Sequence, residues 1–221
     1  MLTKMFLATL PEPVKYSDTG ADILYHLDEN RVSDLPVVEG NELIGSVKDS
    51  DVYSMSDPDQ TLKDMKISLP RDFVFEYQHV FDVVKSMVSS GLTVLPVVNE
   101  QEKYCGCVTA QRILPFLANL MSVQEPGAII VLEINRNDYV LSEIARIVES
   151  QDSRILNLYL NPNSDSTSMD VMIKVNTLEI QGLMQTFNRY NYIIKATYTE
   201  DEKMYDDLKD RYDSLMKYLS I

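Results

Sequence analysis

Short, wholly apolar runs alternate along this chain with stretches in which apolar residues recur at helical spacing. Leu35-Pro36-Val37-Val38 and Leu95-Pro96-Val97-Val98 are two such runs. Each reads as a short buried strand, with Pro at its first position, where a missing N–H is tolerated. Polar turns follow at Glu39-Gly40-Asn41-Glu42 and Asn99-Glu100-Gln101-Glu102, and second strands come after them at 43–47 and 104–108. A helix precedes each hairpin. The first starts near Asp18 or Thr19 with Ala21, Leu24 and Leu27 on one face. The second covers about 78–90, with Val80, Phe81, Val84, Met87 and Val88 facing inward. Further helices are predicted near 50–55 and 112–121. The latter carries Ile113, Leu117, Leu120 and Met121 as its apolar stripe, with Pro115 in its first turn.

These elements form an internal repeat. Residues 31–38 align with 91–98 at an offset of 60, and after one inserted residue Leu43-Ile44-Gly45-Ser46-Val47 aligns with Tyr104-Cys105-Gly106-Cys107-Val108. Each copy reads helix, strand, turn, strand, helix. The copies span about 1–64 and 65–124.

Glu125-Pro126-Gly127 marks a boundary, and a different pattern follows. Residues 128–134 are a continuous apolar strand. Asp138 is placed to cap a helix with Leu141, Ile144, Ala145, Ile147 and Val148 inward. Residues 155–160 form a second strand, 161–166 an exposed turn, and 169–175 a third strand. Thr177 is placed to open a helix carrying Ile180, Leu183, Met184 and Phe187, and 192–198 closes the set. The order βαββαβ over 127–200 is the ferredoxin-like split arrangement. From 201 to 221 a helix is predicted, with Tyr205, Leu208, Tyr212, Leu215 and Leu219 along a heptad seam. The fold class is therefore mixed α+β and α/β.

Charge sharpens this picture. The 221 residues carry 20 Lys plus Arg and 34 Asp plus Glu, a net of −14. Residues 11–64 hold 13 acids and 4 bases, or −9 of that total. Such a balance argues against duplex nucleic acid as a partner. No apolar run reaches the roughly 20 residues of a membrane helix. A cytoplasmic protein is expected.

Catalytic motifs are lacking. The 7 glycines assemble no phosphate cradle or dinucleotide fingerprint. The 2 histidines, His26 and His79, lie 53 positions apart, too far for a zinc-protease helix, and no Ser sits in a nucleophile elbow. Cys105 and Cys107 alternate on one strand and are expected as buried free thiols. No metal site and no catalytic residue is assigned. An enzyme would have to draw on scattered groups such as Asp51, His79 and Arg112.

The tandem repeat, with its Leu-Pro-Val-Val strand and glycine-bearing strand in register twice, resembles a pair of cystathionine-β-synthase (CBS) domains. The resemblance implies a ligand cleft lined by Pro36, Val37, Pro96 and Val97, with His79 at a neighbouring helix start. In nucleotide-binding members the second strand runs Gly, two apolar positions, Ser or Thr, two variable residues, Asp. The first copy keeps Asp51 but has Lys48 at the hydroxyl position, and the second keeps Thr109 but has Arg112 at the acid position. The implied ligand is an adenine nucleotide or S-adenosylmethionine. The residue readings stay open between a phosphate-directed cleft, with Lys48 and Arg112 supplying charge, and a vestigial one in which Ser50, Asp51 and Thr109 only cap helices.

Attached to this pair, the βαββαβ module resembles an ACT domain, and the combination is similar to acetoin-utilisation-type CBS–ACT proteins. Amino-acid-sensing members place a Gly in the first strand-to-helix turn. Here that turn contains Asp138 and Tyr139, and the Tyr ring is expected to narrow the pocket. The resemblance implies a non-enzymatic regulatory protein, a homodimer with a regulated protein partner. A constitutive dimeric scaffold is the alternative.

Overall fold

The computed structural model describes residues 1–55, 57–65, 67–163 and 167–199. The chain divides into two compact units, Met1–Leu117 and a second beginning at Ala118. The helix predicted over 201–221 lies outside the described residues.

In the first unit, α1 (Gly20–Asn30) leads into β1 (Asp34–Glu39), β2 (Glu42–Lys48) and the short α2 (Asp49–Tyr53). The second copy follows with β3 (Val74–Phe75), α3 (Val80–Ser90), β4 (Val94–Val98), β5 (Tyr104–Thr109) and α4 (Ala110–Leu120). Thr19 starts α1 through a capping box: the Asp22 N–H donates to Thr19 Oγ1 at 3.2 Å, and the Thr19 N–H donates to Asp22 Oδ2 at 3.1 Å. The Thr19 hydroxyl, which donates to Asp22 Oδ2 at 2.7 Å, and the Thr19 N–H together hold the Asp22 carboxyl below the usual carboxylate range. α1 ends on Arg31 with φ 54°, and α3 ends on Gly91 with φ 67°. The same left-handed cap thus falls 60 positions apart.

The hairpins repeat down to their irregularities. β1 and β2 pair Val37 with Gly45 and then Val38 with Leu43, leaving Ile44 as a bulge. β4 and β5 pair Val97 with Gly106 and then Val98 with Tyr104, leaving Cys105 as the bulge. A third strand-like segment lies parallel to each: Val14 bridges Val37, and Val74 pairs with Val97. Both prolines stand third in their strands rather than first. Pro36 is tolerated there because its edge faces Val14, whose N–H donates to the Pro36 carbonyl at 2.9 Å, and no donor is needed in return.

Three apolar clusters fill this unit: one under the first copy around Ile23, Leu35, Val47 and Leu62, one under the second around Val80, Leu95, Val108 and Ile113, and a smaller one of Val38, Leu43 and Val98 joining residues of both copies. The core face of α1 is Ile23, Leu24 and Leu27, with Ala21 exposed. In α3 the buried pair is Val80 and Val83, while Phe81 and Val88 turn outward. α4 begins two residues earlier than expected, so Pro115 lies in its second turn.

The second unit contains β6 (Ala128–Asn135), α5 (Leu141–Glu149), β7 (Ile155–Pro162), β8 (Ser168–Val175), α6 (Gln181–Arg189) and β9 (Ile193–Tyr198). Its four strands lie in the order β7-β8-β6-β9, with all neighbours antiparallel. This is the ferredoxin-like βαββαβ arrangement. Alternate residues of β6 (Ala128, Ile130, Leu132, Ile134) and β8 (Met169, Val171, Ile173, Val175) pack in one cluster with Ile144, Ile147, Val148, Leu183 and Phe187 of the helices. Two helix starts differ from the sequence expectation. Asp138 sits in a 3-10 turn over Arg136–Asp138, and α5 begins at Leu141, which is itself exposed. Thr177 holds a local turn, its Oγ1 accepting from the Glu179 N–H at 3.2 Å, and α6 begins only at Gln181.

Candidate functional site

Of the expected cleft residues, Lys48 and Thr109 close β2 and β5, Asp51 and Arg112 lie in the first turns of α2 and α4, and Pro36, Val37, Pro96 and Val97 stand inside β1 and β4. Leu35, Val37, Leu95 and Val97 are fully buried in the two hairpins. Pro36 pairs with Ser46 and Pro96 with Cys107, so both prolines serve the hairpin interior.

Lys48 ends β2 and is half-buried. Its Nζ donates to the Ser90 carbonyl at 3.2 Å, the last residue of α3 in the other copy. A cation at a helix C-terminus meets the negative end of the helix dipole. The Lys48 N–H in turn donates to Asp51 Oδ2 at 2.9 Å. Asp51 thereby caps α2 from its first turn. In the second copy Thr109 Oγ1 accepts from the Arg112 N–H at 3.3 Å and caps α4, while the Arg112 side chain is exposed. The structure therefore joins Lys48 with Asp51 and Thr109 with the Arg112 backbone. It directs the Lys48 ammonium toward Ser90.

Sequence reasoning did not single out Asp34. It is 1 % exposed, and its carboxylate accepts three hydrogen bonds from the other copy: Thr93 N–H at 2.7 Å, Thr93 Oγ1 at 2.6 Å and Val94 N–H at 2.8 Å. The available signal was an acid aligned with Val94 in a strand that is otherwise apolar.

The chain also passes closely over both glycine-bearing strands. The Ser46 N–H donates to the Pro70 carbonyl at 2.9 Å, and the Ala8 N–H donates to the Cys107 carbonyl at 2.8 Å. A Cβ at Gly45 would stand 2.7 Å from Leu69 Cβ, and one at Gly106 would stand 2.9 Å from the Ala8 carbonyl oxygen. These segments explain the glycine of each copy. Ser46 Oγ is buried here without a hydrogen-bond partner among the described residues.

The two thiols do not share an environment. Cys105 is exposed because it is the bulge residue, whereas Cys107 lies buried beneath the carbonyls of Ala8, Leu10 and Pro11, each 3.8 Å from its Sγ. Burial pushes the Cys107 thiol up to about 11, opposed by its Tyr104 hydrogen bond and by Arg112. His79 is the cap of α3: its Nδ1 accepts from the Phe81 N–H at 3.2 Å, and its ring meets the Phe81 ring edge-on at 4.8 Å. In the second unit Tyr139 packs against the central cluster, and Asp138 is exposed beside it. Among the described residues no group of three His, Cys, Asp or Glu is placed to hold a metal ion, and no helix is long and apolar enough to cross a membrane.

The CBS domain family model matches residues 11–56 and 66–119. Together with the repeated hairpins, this makes the first unit a CBS domain pair, followed in the chain by the ferredoxin-like unit. An uncharacterized protein of Methanopyrus kandleri, MK0525, is 32 % identical over 104 residues, which is 44 % of this chain and 53 % of that protein. The chain thus matches about half the length of this curated relative. Solved structures with a similar fold include a CBS domain pair/ACT domain protein of Thermotoga maritima, TM0892. It is 23 % identical with a TM-score of 0.49, over 54 % of this chain and 98 % of that one. CBSX2, solved in complex with AMP, is 22 % identical with a TM-score of 0.46, over 54 % and 97 % of the two chains.

Proposed function

We propose that this chain is a non-catalytic regulatory protein whose CBS pair reads an adenosyl ligand, an adenine nucleotide or S-adenosylmethionine, through the geometry of its two copies. The supporting observation is the Lys48–Ser90 bond, which ties the end of β2 in one copy to the end of α3 in the other. A ligand phosphate or carboxylate competes with the Ser90 carbonyl for the same ammonium, and charge-assisted pairing with an anion is the stronger bond. Binding then loosens one inter-copy tether, with Asp51 as the polar contact for a ribose. A ligand that prefers the untethered state shifts the population by its differential affinity.

The proposed assembly is a cytoplasmic homodimer that transmits this change to a regulated protein partner. Phe81 and Val88 on α3 and Leu114 on α4 are 54 %, 80 % and 68 % exposed, which supports a second copy covering these faces. The βαββαβ unit is assigned the dimerising role of an ACT-like module, because Tyr139 packs into its core where a ligand-admitting Gly would stand. The acetoin-utilisation-type arrangement belongs to this same proposal. One observation favours a constitutive scaffold instead: Asp51 and Thr109 are already committed to capping their own helices.

Thermal shift of the full chain against AMP, ATP, S-adenosylmethionine, NAD and amino acids separates the two. A ligand at about a hundred times its Kd adds roughly 2.7 kcal/mol and raises Tm by several degrees. A flat response to the whole panel leaves the scaffold.

A further inference from the structure

The second unit contains a groove of about 650 Å³ between α5 and α6. Its lining includes Arg146, Ser150, Gln151, Thr186, Arg189 and Tyr190 and, among the described residues, no carboxylate, so it carries two positive charges in a chain whose net charge is −14. Both arginines are held in place. The Arg146 guanidinium lies over the Tyr190 ring, 5.7 Å from its centroid. Arg189 Nη2 donates to Thr186 Oγ1 at 3.1 Å, and that buried hydroxyl donates to the Gly182 carbonyl at 2.9 Å. Glu143, the acid 3.8 Å from Arg146 Nη2, also accepts a hydrogen bond from Tyr192 OH at 2.9 Å. Gly182 leaves room for the Gln151 amide at the groove's other end, since a Cβ there would stand 2.5 Å from Gln151 Oε1.

We propose that this groove binds a small organic polyanion, a phosphate ester or a polycarboxylate. Two guanidinium forks match oxyanion geometry in a bidentate way, and each retains free N–H donors after its positioning contact. The volume falls in the range of small-molecule sites, larger than a bare phosphate needs. On the α5 side the Ser150 hydroxyl donates to the Ile147 carbonyl at 2.7 Å and Gln151 Nε2 to the Ser150 carbonyl at 3.3 Å, so these two residues give the groove neutral polar groups. The site is separate from the CBS pair and stands whether or not that pair takes an adenosyl ligand.

The test is NMR titration of the ¹⁵N-labelled full chain with pyrophosphate and, separately, with citrate at matched ionic strength. Saturable amide shifts at 146–151 and 182–190 are expected. Arg189→Gln and Arg146→Gln should each weaken binding about tenfold, and Ser150→Glu should abolish it. Tighter pyrophosphate binding indicates a phosphate ester, and tighter citrate binding a polycarboxylate. Lys48→Met should leave these shifts unchanged. No saturable shift with either probe, shifts mapping to other basic residues, or binding unaltered in both Arg189→Gln and Ser150→Glu overturns the proposal.

Discussion

The buried carboxylate of Asp34 holds the backbone N–H and the hydroxyl of Thr93, at 2.7 and 2.6 Å. Asp34 opens the Leu-Pro-Val-Val strand of the first copy, and Thr93 directly precedes the aligned strand of the second. One side chain thus closes the repeat upon itself. Asp34→Ala leaves two N–H groups and a hydroxyl without their acceptor and should cost about 3 kcal/mol. Urea denaturation of the full chain reads this, and a loss under 1 kcal/mol would contradict the assigned role.

The two strand glycines should be intolerant for different neighbours. Gly45→Ala drives a methyl into Leu69 and the Pro70 carbonyl. Gly106→Ala drives one into the Ala8 carbonyl at a backbone φ of +138°. Each should lose about 2 kcal/mol or more. Gly40→Ala, at φ +61° in open space, should lose only about 1 kcal/mol from backbone strain. Equal losses at all three positions would show that the close passages do not matter.

Cys105 and Cys107 should react as one fast and one protected thiol. Cys107 is buried and its pKa is raised to about 11, so little thiolate forms at pH 8. Ellman's reagent should titrate one thiol in the folded chain and the second only after denaturant is added. Two thiols reacting at similar rates in the native protein would contradict this packing.

The exposed apolar residues of α3 predict their own role in assembly. Phe81→Asp combined with Val88→Lys should convert a dimer to a monomer in light scattering. Neither residue contributes to the buried face of α3, so far-ultraviolet circular dichroism should stay unchanged. A wild-type monomer, or a double variant that remains dimeric, refutes this interface.

Much of the fold was legible because the chain states it twice. The Leu-Pro-Val-Val runs and the helix caps recur at an offset of 60 and the glycine strands at 61, and the βαββαβ order followed from alternating strand and helix periods. What escaped were effects of packing between distant residues. Phe81 and Val88 share the α3 helical period with Val80 and Val84, and periodicity alone does not say which side meets the core. The bulge at Cys105 broke the simple alternation that placed both thiols on one face. Helix starts at Leu141 and Gln181 came later than Asp138 and Thr177 suggested, since Asn and Thr side chains stabilise turns before the helices begin. The Lys48–Ser90 tether spans 42 residues and leaves no local signature. Arg146 and Arg189 lie 43 positions apart in the sequence, and only the packing of α5 on α6 brings them to one groove.

The central claim, that the CBS pair senses an adenosyl ligand through Lys48, is tested most directly by calorimetric titration of AMP, ATP and S-adenosylmethionine into the full chain and into Lys48→Met. Saturable binding of at least one of them, weakened about tenfold by the substitution, is the predicted result. Absence of binding heat for all three, or equal affinity in both proteins, would contradict it.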